Sequence, residues 1–240
     1  MKTPAPNERL IVALDVPSVD HADAIVRDLG QEVVFYKVGW QLFLHSHFTF
    51  IRRLRDLGKR VFLDLKMEDI PETIRLALRT AGPDLDGVEF MTLKGSSQLV
   101  RAALEGVSGL AHRPKFLMLT ALSSQGDEDI RQFFGPGATL NDVVLQRARQ
   151  ALEAGVDGLI ASGDTVATIR KELGANFLIV APGIRPGGFA SDDHQRTLTP
   201  GAAIRAGADY IVVGRPITKA EDRRAAAAAV IAELESAASG

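Results

Sequence analysis

One punctuation recurs through this chain and restricts its fold more than any other feature. Charged, helix-like text ends at a glycine, and a short apolar run rich in β-branched residues follows within a few positions. RDLG ends at Gly30 before VVFYKVG and again at Gly58 before VFLDLK, and TAG ends at Gly82 before VEFMTL. EAG ends at Gly155 before GLIAS, ELG at Gly174 before FLIVAPG, and RAG at Gly207 before YIVVGR. A glycine just past a helix end takes the left-handed conformation without a Cβ clash, so each one reads as a helix stop and a strand start. With LIVALD near the N-terminus and KFLMLT at 115–120, the text supplies eight strands separated by helices.

The strands are near-continuous apolar runs, not alternating ones, as expected where both faces of a parallel sheet are covered. Eight strand–helix units in 240 residues predict an α/β chain, a (β/α)8 barrel forming a single domain over residues 1–240, with no linker or low-complexity tract to divide it. An open doubly wound sheet would carry similar local text, but no GxGxxG opens the first strand-to-helix turn. The alanine-rich text at 219–236 predicts a late helix packed on the barrel exterior.

Composition limits the partners. Lys plus Arg is 28 against 30 Asp plus Glu, a net charge of −2, so no basic excess is available to neutralise a nucleic-acid backbone. Cysteine is absent, which removes disulfides, thiolate metal sites and cysteine nucleophiles. No apolar run approaches the roughly 18 residues of a membrane span, and MKTPAPNERL has no signal-peptide core. A soluble cytoplasmic protein with no membrane partner is expected. His21, His45, His47 and His112 lack carboxylate neighbours at metal-ligand spacing, so no metal site is predicted.

The chemistry gathers where apolar runs stop. Asp15, Lys37, Asp64, Lys66, Ser123 and the Gly214–Arg215 pair all sit at or just beyond strand ends, which in a parallel barrel converge on the face that carries active sites. Asp64 and Lys66 are two apart and should project to the same side of their strand, with Asp69 following within a turn and Pro71 opening the next helix. An Asp–Lys–Asp array beside Lys37 would form an alternating charge network. A lysine flanked by carboxylates keeps its proton and suits general-acid work better than amine nucleophilicity. Near the C-terminus, APGIRPGGF and VVGRPIT follow the seventh and eighth strands, the customary phosphate site of this fold. Gly183 and Gly214 permit close backbone approach to an anion, Arg185 and Arg215 offer bidentate forks, and Gly187–Gly188 with ASDDHQR reads as a lid.

The motifs IVALD (11–15), YKVG (36–39), FLDLKxxDIPxT (62–73), PGIRP (182–186) and GRPIT (214–218), in this order and spacing, resemble the orotidine 5′-phosphate decarboxylases nearly end to end. The resemblance implies loss of CO2 from C6 of orotidine 5′-phosphate to give uridine 5′-phosphate, the last step of de novo UMP synthesis, without a cofactor. It places Asp15 and Lys37 on the ribose hydroxyls, Asp64 against the substrate carboxylate, and Lys66 as proton donor to C6. It makes the functional unit a homodimer in which Asp69 and Thr73 reach the neighbouring active site. Ser123 would contact the pyrimidine, and Arg185, Gly214 and Arg215 the 5′-phosphate. The chain departs from the family pattern at three places. Met67 and Glu68 stand where relatives often have Phe and His, and Lys94 where they have His. His194 takes the place of the lid glutamine, unless Gln195 shifts into it. Two other functions remain open on the residues alone: a Mg²⁺-dependent keto-sugar-phosphate decarboxylase or aldolase using Asp15, Asp64 and Asp69 as oxygen ligands, and a non-catalytic barrel that binds a phosphorylated ligand.

Overall fold

The eight apolar runs become eight parallel strands that close on one another in sequence order. In the computed structural model, which describes residues 4–187 and 197–238, these are β1 (Leu10–Ala13), β2 (Phe35–Gly39), β3 (Arg60–Met67), β4 (Val88–Leu93), β5 (Lys115–Leu119), β6 (Gly158–Ile160), β7 (Leu178–Ala181) and β8 (Tyr210–Val213). β1 pairs with β2 through Val12 and Tyr36 and closes the ring onto β8 through Leu10 and Ile211. Helices fill the connections, and no described helix is long and apolar enough to cross a membrane.

Alternation along each strand divides the apolar residues into two sets. Ile11, Ala13, Phe35, Phe62, Phe90, Leu117, Leu119, Ile160, Leu178, Val180, Tyr210 and Val212 meet inside the barrel. Their sequence neighbours, such as Val12, Tyr36, Val38, Val61, Leu63 and Met91, pack outward against the helices. That double burial is why the runs lack polar alternation.

Four rings dominate the interior. Phe90 lies 5.2 Å from Phe35, 6.0 Å from Phe62 and 5.1 Å from Tyr210, each pair tilted or edge-on. Below them Arg60 sets its guanidinium 4.3 Å over the Phe35 ring and pairs with Glu89 at 3.4 Å, while Lys115 joins the same carboxylate at 2.7 Å. These groups lie at or near the N-terminal ends of β3, β4 and β5 and give the barrel a filled floor.

Two expectations need correction. Gly82 is not left-handed: at φ −40° it enters a 3-10 helix, Gly82–Leu85, and the positive-φ glycine of that connection is Gly87 at φ 79°. Pro83 favours the helical turn and shifts the stop by one tight helix. The late helix is Arg223–Ala238, preceded by a separate short helix, Arg215–Thr218. Asp222 accepts the Ala225 N–H at 2.9 Å and satisfies the first turn there, which starts the helix four residues later than composition suggests.

Phe90 is fully buried and touches three of the interior rings. Phe90→Ala should therefore lower unfolding stability by about 3–5 kcal/mol, read as a lower urea midpoint at an unchanged slope.

Candidate active site

Above the aromatic floor the interior turns polar, because the next inward position on β2 and β3 is charged. Lys37 follows Phe35 by two residues and Asp64 follows Phe62 by two. Four charged groups from three strand ends form one chain. Lys37 Nζ lies 2.9 Å from Asp15 Oδ1 and 3.5 Å from Asp64 Oδ2, and Asp64 Oδ1 receives Lys66 Nζ at 2.8 Å. The middle pair is buried, with the side chains of Lys37 and Asp64 only 10% and 13% exposed. Asp15 and Lys66, at the ends, open into a cavity of about 460 Å³.

The local backbone explains how the ends reach it. Leu63 pairs with Met91 and Met67 with Leu93, so β3 spends four steps where β4 spends two. Lys66 sits in this bulge at φ 47°, a left-handed conformation uncommon for a residue with a Cβ. Simple alternation anticipated that Asp64 and Lys66 share a side, but it is the bulge and the left-handed turn that deliver the ammonium to Asp64. Gly39 matters for a different reason. A Cβ there would lie 2.8 Å from Asp15 Oδ1 and 3.1 Å from Lys37 Nζ, inside the space the ion pair occupies.

Burial by itself would raise the Asp64 carboxyl, but the Lys37 and Lys66 ammonium groups, with hydrogen bonds from Lys66 and Thr92, hold it below the usual carboxylate range. For Lys37 burial favours the neutral amine, and Asp64 and Asp15 more than offset it, so the ammonium persists above the ordinary lysine range.

The same cavity is lined by Ser123 beyond β5, by Gly183 and Arg185 beyond β7, and by Gly214 and Arg215 beyond β8. Gly183 stands at φ 76°, turning the chain out of β7, and Arg185 is tied down by its N–H to Leu198 O at 2.9 Å. Asp69 and Thr73 are exposed and line no part of this cavity, and Asp69 Oδ1 accepts the Ile70 N–H at 2.6 Å. The spacing that grouped Asp69 with Asp64 and Lys66 thus places it outside the intrachain network, because β3 ends at Met67 and the backbone leaves the barrel there. His194, Gln195 and the lid text at 188–196 lie outside the described residues. Lys94 and Glu68, two of the departures from the family pattern, pair with each other on the surface and leave the buried network untouched. Among the described residues no group of three or more His, Cys, Asp or Glu converges as a metal site.

Two contributors escaped the sequence analysis. Thr92, on β4, donates its hydroxyl to Asp64 Oδ1 at 2.8 Å. Its signal was available: Phe90–Thr92 repeats the spacing of Phe35–Lys37 and Phe62–Asp64 on the next strand. Lys219, just past GRPIT, lines the cavity with the two arginines.

Residues 8–230 match the family described as orotidine 5′-phosphate decarboxylase / HUMPS. The chain belongs to this family. It is 44% identical over 233 residues to the orotidine 5′-phosphate decarboxylase of Rhodopseudomonas palustris, covering 96% of each chain. It is 45% identical over 227 residues to the protein of the same name from Nitrobacter winogradskyi, covering 95% of this chain and 92% of that one. Among solved structures, the orotidine 5′-phosphate decarboxylase of Lactobacillus acidophilus superposes with a TM-score of 0.81 at 35% identity, covering 95% of this chain and 99% of that one. Within this orotidine 5′-phosphate decarboxylase / HUMPS barrel, the cavity and its charged chain stand at the C-terminal ends of the strands, where barrel enzymes place their chemistry.

The buried pair predicts a pH signature. Asp64 binds its proton less tightly folded than unfolded, so its contribution to stability is present above the unfolded carboxylate pKa of about 3.9 and is lost as pH falls through the lower folded value. Lys37 behaves oppositely: its contribution is complete below the unfolded lysine pKa of about 10.4 and is lost as pH rises through the higher folded value. The stability gap between the wild type and Asp64→Asn, measured by urea titration, should therefore narrow below about pH 4. A gap constant across that range would contradict the assignment.

Proposed function

We propose that this chain decarboxylates orotidine 5′-phosphate to uridine 5′-phosphate, acting as a carboxy-lyase, and that Lys66 delivers the proton to C6. The observation that carries this function is the Asp15–Lys37–Asp64–Lys66 chain in a cavity that Arg185 and Arg215 also line. Five cationic side chains (Lys37, Lys66, Arg185, Arg215 and Lys219) and two carboxylates (Asp15 and Asp64) line the described cavity, an excess of three positive charges. The substrate, with a 5′-phosphate of nearly two charges and a carboxylate, is an anion of about three.

The roles are those the family resemblance implies, supported by the lining of one cavity by the residues concerned. The arginines and Gly214 hold the phosphate. Asp15 and Lys37 take the ribose hydroxyls, and Ser123 the pyrimidine. The substrate carboxylate lies against Asp64, whose own charge disfavours it. As the C6–CO2 bond breaks, its electron pair stays on C6 and the carboxylate departs as CO2. The Lys66 ammonium stabilises the developing charge and then transfers one proton to C6. Lysine is left neutral and regains its proton from water. Phosphate and ribose contacts, distant from C6, supply binding energy that holds the ring against the charged chain.

A homodimer completes the site in this scheme. Asp69 and Thr73 are exposed at the start of the helix that follows β3, beside Ile70, which is 68% exposed, and Trp40 and Leu44 beyond β2 are also exposed apolar groups. These residues suit a surface covered by a second copy, where Asp69 and Thr73 would enter the partner's cavity. Metal-assisted chemistry at Asp15 and Asp64 is disfavoured by their partners, since both carboxylates already accept ammonium groups.

Orotidine 5′-phosphate turnover, followed by absorbance with EDTA present, should be undiminished by the chelator and should fall at least about 10³-fold in Lys66→Ala. A wild type that binds the nucleotide without turning it over would overturn the proposal. Arg215→Ala should cost about 2–5 kcal/mol in kcat/KM, and an unchanged value would place the phosphate elsewhere. Mixing Lys66→Ala with Asp69→Ala chains should restore activity that neither has alone. No restoration under conditions of subunit exchange would count against the shared site.

A further inference from the structure

Three adjacent strands share one pattern: an aromatic on the barrel floor and, two residues later, a polar group in the layer above. On β2 the pair is Phe35 and Lys37, on β3 Phe62 and Asp64, and on β4 Phe90 and Thr92. Period-two alternation brings the three upper residues together. Two of them are charged and account for themselves in the chemistry. Thr92 is neutral, only 1% exposed, and lines the same cavity.

Its hydroxyl has a definite orientation. An ionised carboxylate only accepts, so in the 2.8 Å contact with Asp64 Oδ1 the threonine must donate. Asp64 is thereby held from three strands: Lys66 and Thr92 reach Oδ1, and Lys37 faces Oδ2. The terminal torsion of an aspartate is broad and does not fix the carboxylate plane by itself. Two of its three partners are ammonium groups on long flexible stems. Thr92 is the short, stiff one, β-branched and rooted in the barrel wall. Lys66, whose side chain is 34% exposed and whose backbone lies in the β3 bulge, has Asp64 as its only ion-pair partner among the described residues.

We propose that Thr92 is a positioning residue for the proton donor, its hydroxyl fixing the Asp64 carboxylate that in turn sets the place of the Lys66 ammonium. This rests on the decarboxylase function proposed above and requires no contact between Thr92 and the substrate. Because phosphate and ribose are held elsewhere, the loss should appear in kcat more than in KM. The hydroxyl also helps keep Asp64 ionised. The groups that face Asp64 are Lys37 from β2, Lys66 from β3 and Thr92 from β4, with Asp15 behind Lys37. Removing the hydroxyl leaves the two ammonium groups in place and should move the acid limb of the kcat/KM profile to higher pH.

The test compares Thr92→Val, which keeps the shape and loses the hydroxyl, with Thr92→Ser, which keeps the hydroxyl. In Thr92→Val kcat should fall about ten- to a hundredfold, the range for a lost hydrogen bond to a charged group. KM and uridine 5′-phosphate affinity should change far less, and the acid limb should move upward. Thr92→Ser should recover most of kcat and the original pH profile. If the valine variant does not fold, Thr92→Ala supplies the same comparison with serine. Serine as impaired as valine or alanine would reduce Thr92 to a space-filling role and overturn the proposal, as would a hydroxyl-free variant with wild-type kcat and pH profile. A wild type with no turnover would instead overturn the decarboxylase function, which the same assay reports first.

Discussion

Two opposite charges, Lys37 and Asp64, are buried in the barrel 3.5 Å apart, and much of the architecture serves to keep them there. An ion pair taken out of water is expensive unless each remaining hydrogen-bonding position is filled, and removing one partner strands the other. The barrel meets this by extending the pair into a chain. Asp15 satisfies the far side of Lys37, and Lys66 and Thr92 satisfy Asp64. Asp15 and Thr92 come from strands next to those they serve and Lys66 from the bulge of β3 itself, so the closed order of β1 to β4 is what allows the network to exist. Gly39 contributes by having no side chain, since any larger residue would drive Asp15 and Lys37 apart.

Two kinds of charged group line the cavity. Along the barrel wall fixed charges of both signs alternate from Asp15 to Lys66. Arg185 and Arg215, beyond β7 and β8, add positive charge to the lining of the same cavity. In the function proposed above, phosphate binding serves to hold the carboxylate-bearing ring against a preorganised field.

The barrel was legible in the sequence because its strands are buried on both faces and its helices stop at glycines, two signals that are local. Asp15, Lys37, Asp64 and Lys66 were legible because charge directly after an apolar run is conspicuous. What escaped notice was set by neighbours remote in sequence or by absence. Thr92 carries no charge, and its importance comes from Asp64, 28 positions away. Gly39 acts through space it does not fill. The register slip that places Lys66 depends on how β3 meets β4, which neither strand announces alone. Gly82 misled because Pro83 redirected the chain into a 3-10 turn.

The filled floor governs traffic through the site. Phe35, Phe62, Phe90 and Tyr210 occupy the barrel axis, and Arg60, Glu89 and Lys115 cap it from below. The cavity is therefore a blind well. CO2 released in such a well has no drain through the barrel axis and must leave by the mouth, past the nucleotide or after it. Nucleotide and CO2 then share one doorway, and the order in which the two leave becomes a property of the mouth.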